Sequence, residues 1–164
     1  LNPNCEVQGH QMFYLPETAE HFDFTDYDYV VDAVDTVSAK LDIIERCKSA
    51  EVPIISCMGC GNRIDPTKLA IMDISKTSMD PLAKVIRKGL KDRRIKGVKV
   101  LCSTEEPIVP ILPEGGEAES KGTAGRVAPG STSFVPAAAG LAIASEVVKD
   151  LTGFDSQKRT KGGR

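Results

Sequence analysis

Between Tyr29 and Ser56, two short runs of continuously apolar residues enclose one helical period, and this arrangement restricts the fold more than any other feature of the chain. The first run lies within Tyr27 to Val34, and the second is Val52 to Ser56. A strand without polar alternation is buried on both faces, as in a parallel sheet covered by helices. The helix between them, Val37 to Ala50, carries the apolar stripe Val37, Leu41, Ile44 and Cys47, which keeps to one face. Strand, helix and strand within about 30 residues form a βαβ unit with parallel strands. The fold class expected is α/β. Ligands in such sheets lie beyond the carboxyl ends of the strands, so Asp32 to Asp35 and Cys57 to Gly61 are the two places to search.

The rest of the chain supplies more of the same layers. Cys5 to Leu15 reads as a strand with its exit, and Pro16 to Phe24 as a polar, partly helical link. Asp65-Pro66 marks a turn before a strand at Leu69 to Ile74. Asp80 suits an N-cap and Pro81 a first helical turn, which predicts a helix to about Arg94. Val98 to Cys102 reads as a further strand. Residues 105–130 are rich in proline and glycine without periodicity and read as a mobile loop. A last helix is expected over Phe134 to Leu151, stopped by Gly153, with residues 153–164 as a polar basic tail. Its small residues, Ala137 to Gly140 and Ala142 to Ala144, let it lie close to a sheet or a twin subunit, so a homodimer is expected.

Composition removes several function classes. At 164 residues the chain has room for one domain. No apolar stretch reaches the roughly 18 residues of a membrane-spanning helix. A net charge of -2 argues against a protein drawn as a whole to polyanions. Five cysteines at irregular spacing make a poor disulfide framework and read as free thiols in a reducing cytoplasm.

Four groups of residues invite chemistry. Asp35 closes the first buried strand, where a carboxylate can hold magnesium; taken alone, it reads more readily as a helix cap. Asp32, one step inside the strand, needs a partner that the sequence does not name. Cys57 and Cys60 have the spacing of a zinc knuckle or a redox pair. Zinc wants four ligands, and the two histidines are remote, so no zinc site is expected and the pair reads as small residues lining a glycine-rich bend. Lys84, Arg87, Lys88 and Lys91 form a basic stripe that is either a solvated helix face or a contact for a phosphate backbone.

In order along the chain stand Leu1-Asn2-Pro3, the run Tyr27 to Val37 followed by Lys40, Gly59-Cys60-Gly61-Asn62 with Asp65-Pro66-Thr67, Asp73-Ile74-Ser75-Lys76-Thr77 with Asp80-Pro81-Leu82-Ala83, and Ser103-Thr104-Glu105. Together these resemble the tRNA threonylcarbamoyladenosine dehydratases of the ubiquitin-activating-enzyme superfamily. Their neighbours there are the molybdopterin-synthase and thiamine-biosynthesis adenylyltransferases, the MoeB, ThiF and HesA proteins. The Asp73 to Ala83 block points to the dehydratase branch.

The resemblance spans residues 1–152. It implies an incomplete Rossmann-like nucleotide-binding fold with a mixed sheet and a C-terminal helix packed on it, the C-terminal part of an activating domain. It implies an ATP- and magnesium-dependent enzyme that adenylylates a carboxylate, that of the threonylcarbamoyladenosine of tRNA, and then cyclises it. Asp35 becomes the magnesium/ATP carboxylate, Phe13 falls where the adenine nucleotide is contacted, and Lys40 falls near the phosphates. The superfamily's glycine-rich phosphate loop precedes the Asn-Pro element, here Asn2-Pro3, so residues 1–164 alone are expected to be inactive. Two other readings remain: an adenylyltransferase activating the C-terminus of a ubiquitin-like or sulfur-carrier protein, and a non-catalytic dimerisation or interaction module.

Overall fold

A computed structural model of the chain describes residues 2–109, 111 and 129–155. Its regular elements are β1 (Val30–Asp32), α1 (Val37–Ser49), β2 (Ile54–Cys57), β3 (Leu69–Asp73), α2 (Pro81–Asp92), β4 (Lys99–Ser103) and α3 (Phe134–Thr152). The strands form one mixed sheet in the order β1-β2-β4-β3. β1 pairs parallel with β2, and β2 with β4, with Val31 opposite Ile55 and Ser56 opposite Val100. β3 closes the other side antiparallel to β4, with Ile71 opposite Leu101. The α/β fold, the mixed sheet and the C-terminal helix expected from the sequence are all present.

Local chemistry explains where the elements start and stop. α2 begins at Asp80, whose Oδ1 accepts the Ala83 amide at 2.9 Å, and Pro81 takes the first position, where no amide proton is needed. α3 ends on Gly153 in the left-handed conformation (φ 62°), with its amide bonded to the Lys149 carbonyl. β1 is shorter than the apolar run that announced it. Tyr27 still closes a 3-10 turn through Phe24 at one end, and the Asp32 carboxylate accepts the Val34 amide and turns the chain at the other.

One expected element is absent. Cys5 to Leu15 forms no strand. Its backbone makes short-range turns, Cys5 to Asn2 and Met12 to His10, and a strand requires a neighbour to complete its ladder. The segment is tied down instead by Tyr14, which packs on Phe22 and Phe24 and donates its hydroxyl to Asp42 at 2.7 Å. Of the expected loop and tail, residues 110, 112–128 and 156–164 lie outside the described residues. The described ends of the loop are both held by Asn62, in the left-handed region at φ 56°. Its carbonyl accepts Ile108 N–H, its amide donates to the Gly130 carbonyl, and its Oδ1 accepts Gly130 N–H.

Alternate residues of the strands feed two cores. Ile54, Val100 and Cys102 point to the side covered by α1 and α2, where they meet Leu41, Ile44, Ile86 and Leu90. Ile55 and Leu101 point to the other side, against Ala139 and Ile143 of α3. A fully buried residue such as Ile86 contributes about 1.5–3 kcal/mol through removal from water. α1 and α2 approach closely at Gly89, where a Cβ would stand 2.7 Å from Leu41 Cδ1. None of the described helices is long and apolar enough to cross a membrane.

Candidate functional site

The carboxyl ends of β1 and β2, with the N-terminal half of α3 above them, enclose a cleft of about 610 Å³. Val31, Asp35, Cys57, Cys60, Gly140 and Ile143 are among its walls. Two larger concavities exist, about 790 Å³ beside the C-terminal end of α3 and about 780 Å³ beside that of α2. Neither lies at the ends of the parallel strands, where this class of sheet binds ligands, so the smaller cleft is the better candidate.

Asp35 stands in the link from β1 to α1, exposed, on the rim of that cleft. The capping alternative does not hold, because Thr36 occupies the N-cap of α1. Among the described residues, no hydrogen bond or ion pair engages the Asp35 carboxylate. It is therefore available to a cation or a ligand. Among the described residues no three His, Cys, Asp or Glu side chains converge to cage a metal ion. A magnesium ion at Asp35 would draw its other ligands from phosphate oxygens and water, the usual habit of that ion.

Beneath the rim lies a buried polar floor. Asp32, the last residue of β1, is fully buried, and Lys40 of α1 is its missing partner, with Nζ 3.0 Å from Asp32 Oδ2. The same carboxylate oxygen accepts the Ser56 hydroxyl at 2.5 Å, and the Lys40 ammonium also donates to the Cys57 carbonyl at 2.7 Å. Two strand ends and a helix are thus locked at one point. A buried charge pair recovers its desolvation cost only when such additional bonds complete it. Lys40 is 1% exposed, so its ammonium is committed to this floor rather than presented in the cleft.

The glycine bend after β2 is fixed from the side. Asp80 Oδ2 accepts the Gly59 amide at 3.1 Å while its other oxygen caps α2. Arg63, also buried, donates to the carbonyls of Met79 and Glu105, and the Glu105 carboxylate in turn accepts the amides of Ile64 and Asp65. On this bend Cys57 and Cys60 bring their sulfurs to 3.9 Å. The contact between the two sulfurs favours one thiolate in the pair: it pulls the Cys60 thiol below its usual range and pushes that of Cys57 above it.

The remaining sequence candidates lie elsewhere. Phe13 is 85% exposed in the irregular N-terminal segment and does not line the cleft with Asp35. Lys84, Lys88 and Lys91 are exposed on α2, against the other face of the sheet. Arg87 is not part of that free stripe; its guanidinium is turned inward onto the Thr77 carbonyl and hydroxyl, at 2.9 and 2.5 Å. The sequence reading missed Lys40 as the partner of Asp32, and also Ser56 and Asp80. The signal for Lys40 was a long cation one turn into the helix that follows a strand ending in a carboxylate.

Comparison with known proteins adds the following. The model of the ThiF family matches residues 1–162. The chain is 44% identical over 165 residues to the tRNA threonylcarbamoyladenosine dehydratase of Bacillus subtilis, covering 98% of this chain and 65% of that protein. It is 33% identical over 118 residues to the Escherichia coli protein of the same name, covering 67% of this chain and 44% of that protein. Among solved structures, E. coli tRNA N6-threonylcarbamoyladenosine dehydratase, TcdA, in complex with AMP matches with a TM-score of 0.75 at 30% identity, over 93% of this chain and 59% of that one. The same protein in complex with ATP gives a TM-score of 0.76 at 28% identity, over 98% and 61%. The chain therefore spans less than two thirds of the length of these relatives.

Proposed function

This chain belongs to the ThiF family, and from that premise we propose that it serves an ATP-dependent tRNA threonylcarbamoyladenosine dehydratase. The observation that carries this reading is Asp35: an unengaged carboxylate at the end of β1, on the rim of a cleft, in a chain 44% identical to such a dehydratase. The substrate carboxylate would attack the α-phosphorus of ATP, releasing pyrophosphate and leaving an acyl-adenylate. A nucleophilic atom of the same modified side chain would then attack the activated acyl carbon, displace AMP and close the ring. When bound, magnesium neutralises charge on the phosphates as the leaving group departs.

The chain's own residues have distinct tasks in this scheme. Asp35 holds the cation at the strand end. Asp32, Lys40 and Ser56 fix the backbone from which Asp35 projects, so Lys40 positions rather than touches the phosphates. The apolar walls, Val31 and Ile143, keep water from the activated acyl group. Phe13 is left with the adenine contact that the family resemblance gives it. The exposed Lys84, Lys88 and Lys91 would meet tRNA phosphates. Exposed Leu141, Val148 and Leu151 on α3 would form a homodimer contact.

The test is made on the protein at the length of its relatives. Asp35→Asn should lower AMP release with modified tRNA about a hundredfold or more. Unchanged turnover would remove Asp35 from the mechanism. AMP release with a ubiquitin-like or sulfur-carrier protein, and none with modified tRNA, would replace the dehydratase reading with the adenylyltransferase one. Retained structure with no nucleotide affinity would favour an interaction module.

A further inference from the structure

We propose that Cys57 and Cys60 form a dithiol that exchanges with low-molecular-weight disulfides and closes into an intramolecular disulfide on the wall of the cleft. The geometry is the first support. The two sulfurs lie 3.9 Å apart, so a bond length near 2.05 Å requires a closure of about 2 Å, within the reach of a side-chain rotation. The second is access. Both cysteines are half-buried and line the cleft, whereas Cys47 and Cys102 are enclosed in the core. The third is the bend that carries them, which is held at Gly59 by Asp80 and at Asn62 by Gly130. Both supports lie outside the cysteine side chains, so closure does not require either bond to break.

The chemistry balances with one co-reactant, a small disulfide RSSR. The Cys60 thiolate attacks one sulfur of RSSR, forming a mixed disulfide and releasing RS⁻. The Cys57 thiol gives its proton to a released thiolate and attacks Cys60 Sγ. The Cys57–Cys60 bond forms, and the second RS⁻ leaves. Two protein thiols are oxidised and one small disulfide is reduced to two thiols. The lowered Cys60 thiol suits the attacking role, and the raised Cys57 thiol the resolving one. This chemistry needs neither ATP nor tRNA, so its failure leaves the proposed activity untouched.

The experiment uses the full chain with Cys5→Ser, which removes the exposed thiol outside the cleft. Oxidised glutathione is added near neutral pH, and free thiols are then alkylated and mapped by mass spectrometry. The expected product has lost the alkylatable thiols of Cys57 and Cys60, carries no glutathione, and is restored by dithiothreitol. In Cys57→Ser a glutathione adduct should persist on Cys60. In Cys60→Ser the reaction should slow roughly tenfold or more. As a second measurement, phenylarsine oxide, a dithiol probe, should protect both cysteines from alkylation in the parent and neither in the single variants. A stable glutathione adduct while both cysteines are present, two thiols that remain alkylatable, or equal rates in the two single variants would overturn the proposal.

Discussion

The face of the sheet under α1 and α2 and the face under α3 are made by alternate residues of the same strands, yet they are filled differently. Ile54, Val100 and Cys102 meet two helices and join a broad cluster of large side chains. Ile55 and Leu101 meet one helix, through buried Ala139 and Ile143 with the half-buried Ala142 and Val147 beside them. Strand alternation makes both faces apolar, and helix coverage then decides which is solid. The solid face holds the fold, while the thinly covered one leaves room for a cleft at the strand ends. That division places the unengaged Asp35 on the thin side and the buried Asp32–Lys40 pair on the thick side.

The largest expected effect is at that pair. Lys40→Met leaves the Asp32 carboxylate buried without its cation and should cost about 3–5 kcal/mol in urea unfolding. Adding Asp32→Asn should recover much of the loss. A single-variant cost below about 1 kcal/mol would show that the thick face does not depend on this lock.

Core truncation sharpens the contrast directly. Ile86→Ala, from a fully buried side chain, should fall in the upper part of the 2–5 kcal/mol range, and Ile143→Ala, beside the cleft, near about 2 kcal/mol. Equal losses in urea unfolding would mean that the two faces are equally well packed.

Glycine replacement should change sign between the faces. At Gly89 a new Cβ would meet Leu41 Cδ1 at 2.7 Å and Cδ2 at 2.9 Å, so Gly89→Ala should destabilise by about 1 kcal/mol despite the better helix propensity of alanine. At Gly140 nothing lies within 4 Å, so Gly140→Ala should stabilise by about 0.5–1 kcal/mol while narrowing the cleft. Thermal midpoints moving in the same direction would break the comparison.

The smallest effect concerns how α3 is held. Lys99 bonds the Asp150 carboxylate at 2.6 and 2.8 Å, and Tyr29 donates its hydroxyl to it at 2.7 Å. The Lys99 hydrogen bond, helped by that of Tyr29, keeps the Asp150 carboxyl below its usual range. A carboxyl depressed in the folded state adds stability above its unfolded pKa, near 3.9, and loses it as pH falls through the folded value. Lys99→Met should therefore cost about 0–1 kcal/mol near neutral pH, a difference that shrinks below about pH 4. Thermal unfolding of both proteins across that range is the check.

Periodicity made most of the fold legible before any coordinate. The stripe from Val37 to Cys47 and the Asp80-Pro81 start gave α1 and α2 their places because these signals are local. Cys5 to Leu15 misled because its composition suits a strand but a strand needs a ladder partner, which no single segment encodes. Arg87 misled for a similar reason. Its partner, Thr77, sits on the turn after β3, and the side chain follows that partner inward. Lys40 went to Asp32 because α1 folds back over the end of β1, a tertiary fact. Asp35 emerged from a family resemblance, since its residue type alone favoured a cap.

The double hold of Asn62 on Ile108 and Gly130 has an engineering consequence. One residue ties two points far apart in sequence to the bend after β2, so Asn62→Ala would remove the side-chain half of the hold on Gly130 and relax the bend that carries both anchors. Asn62 is thus a single handle by which two stretches of chain can be loosened together while the sheet is left undisturbed.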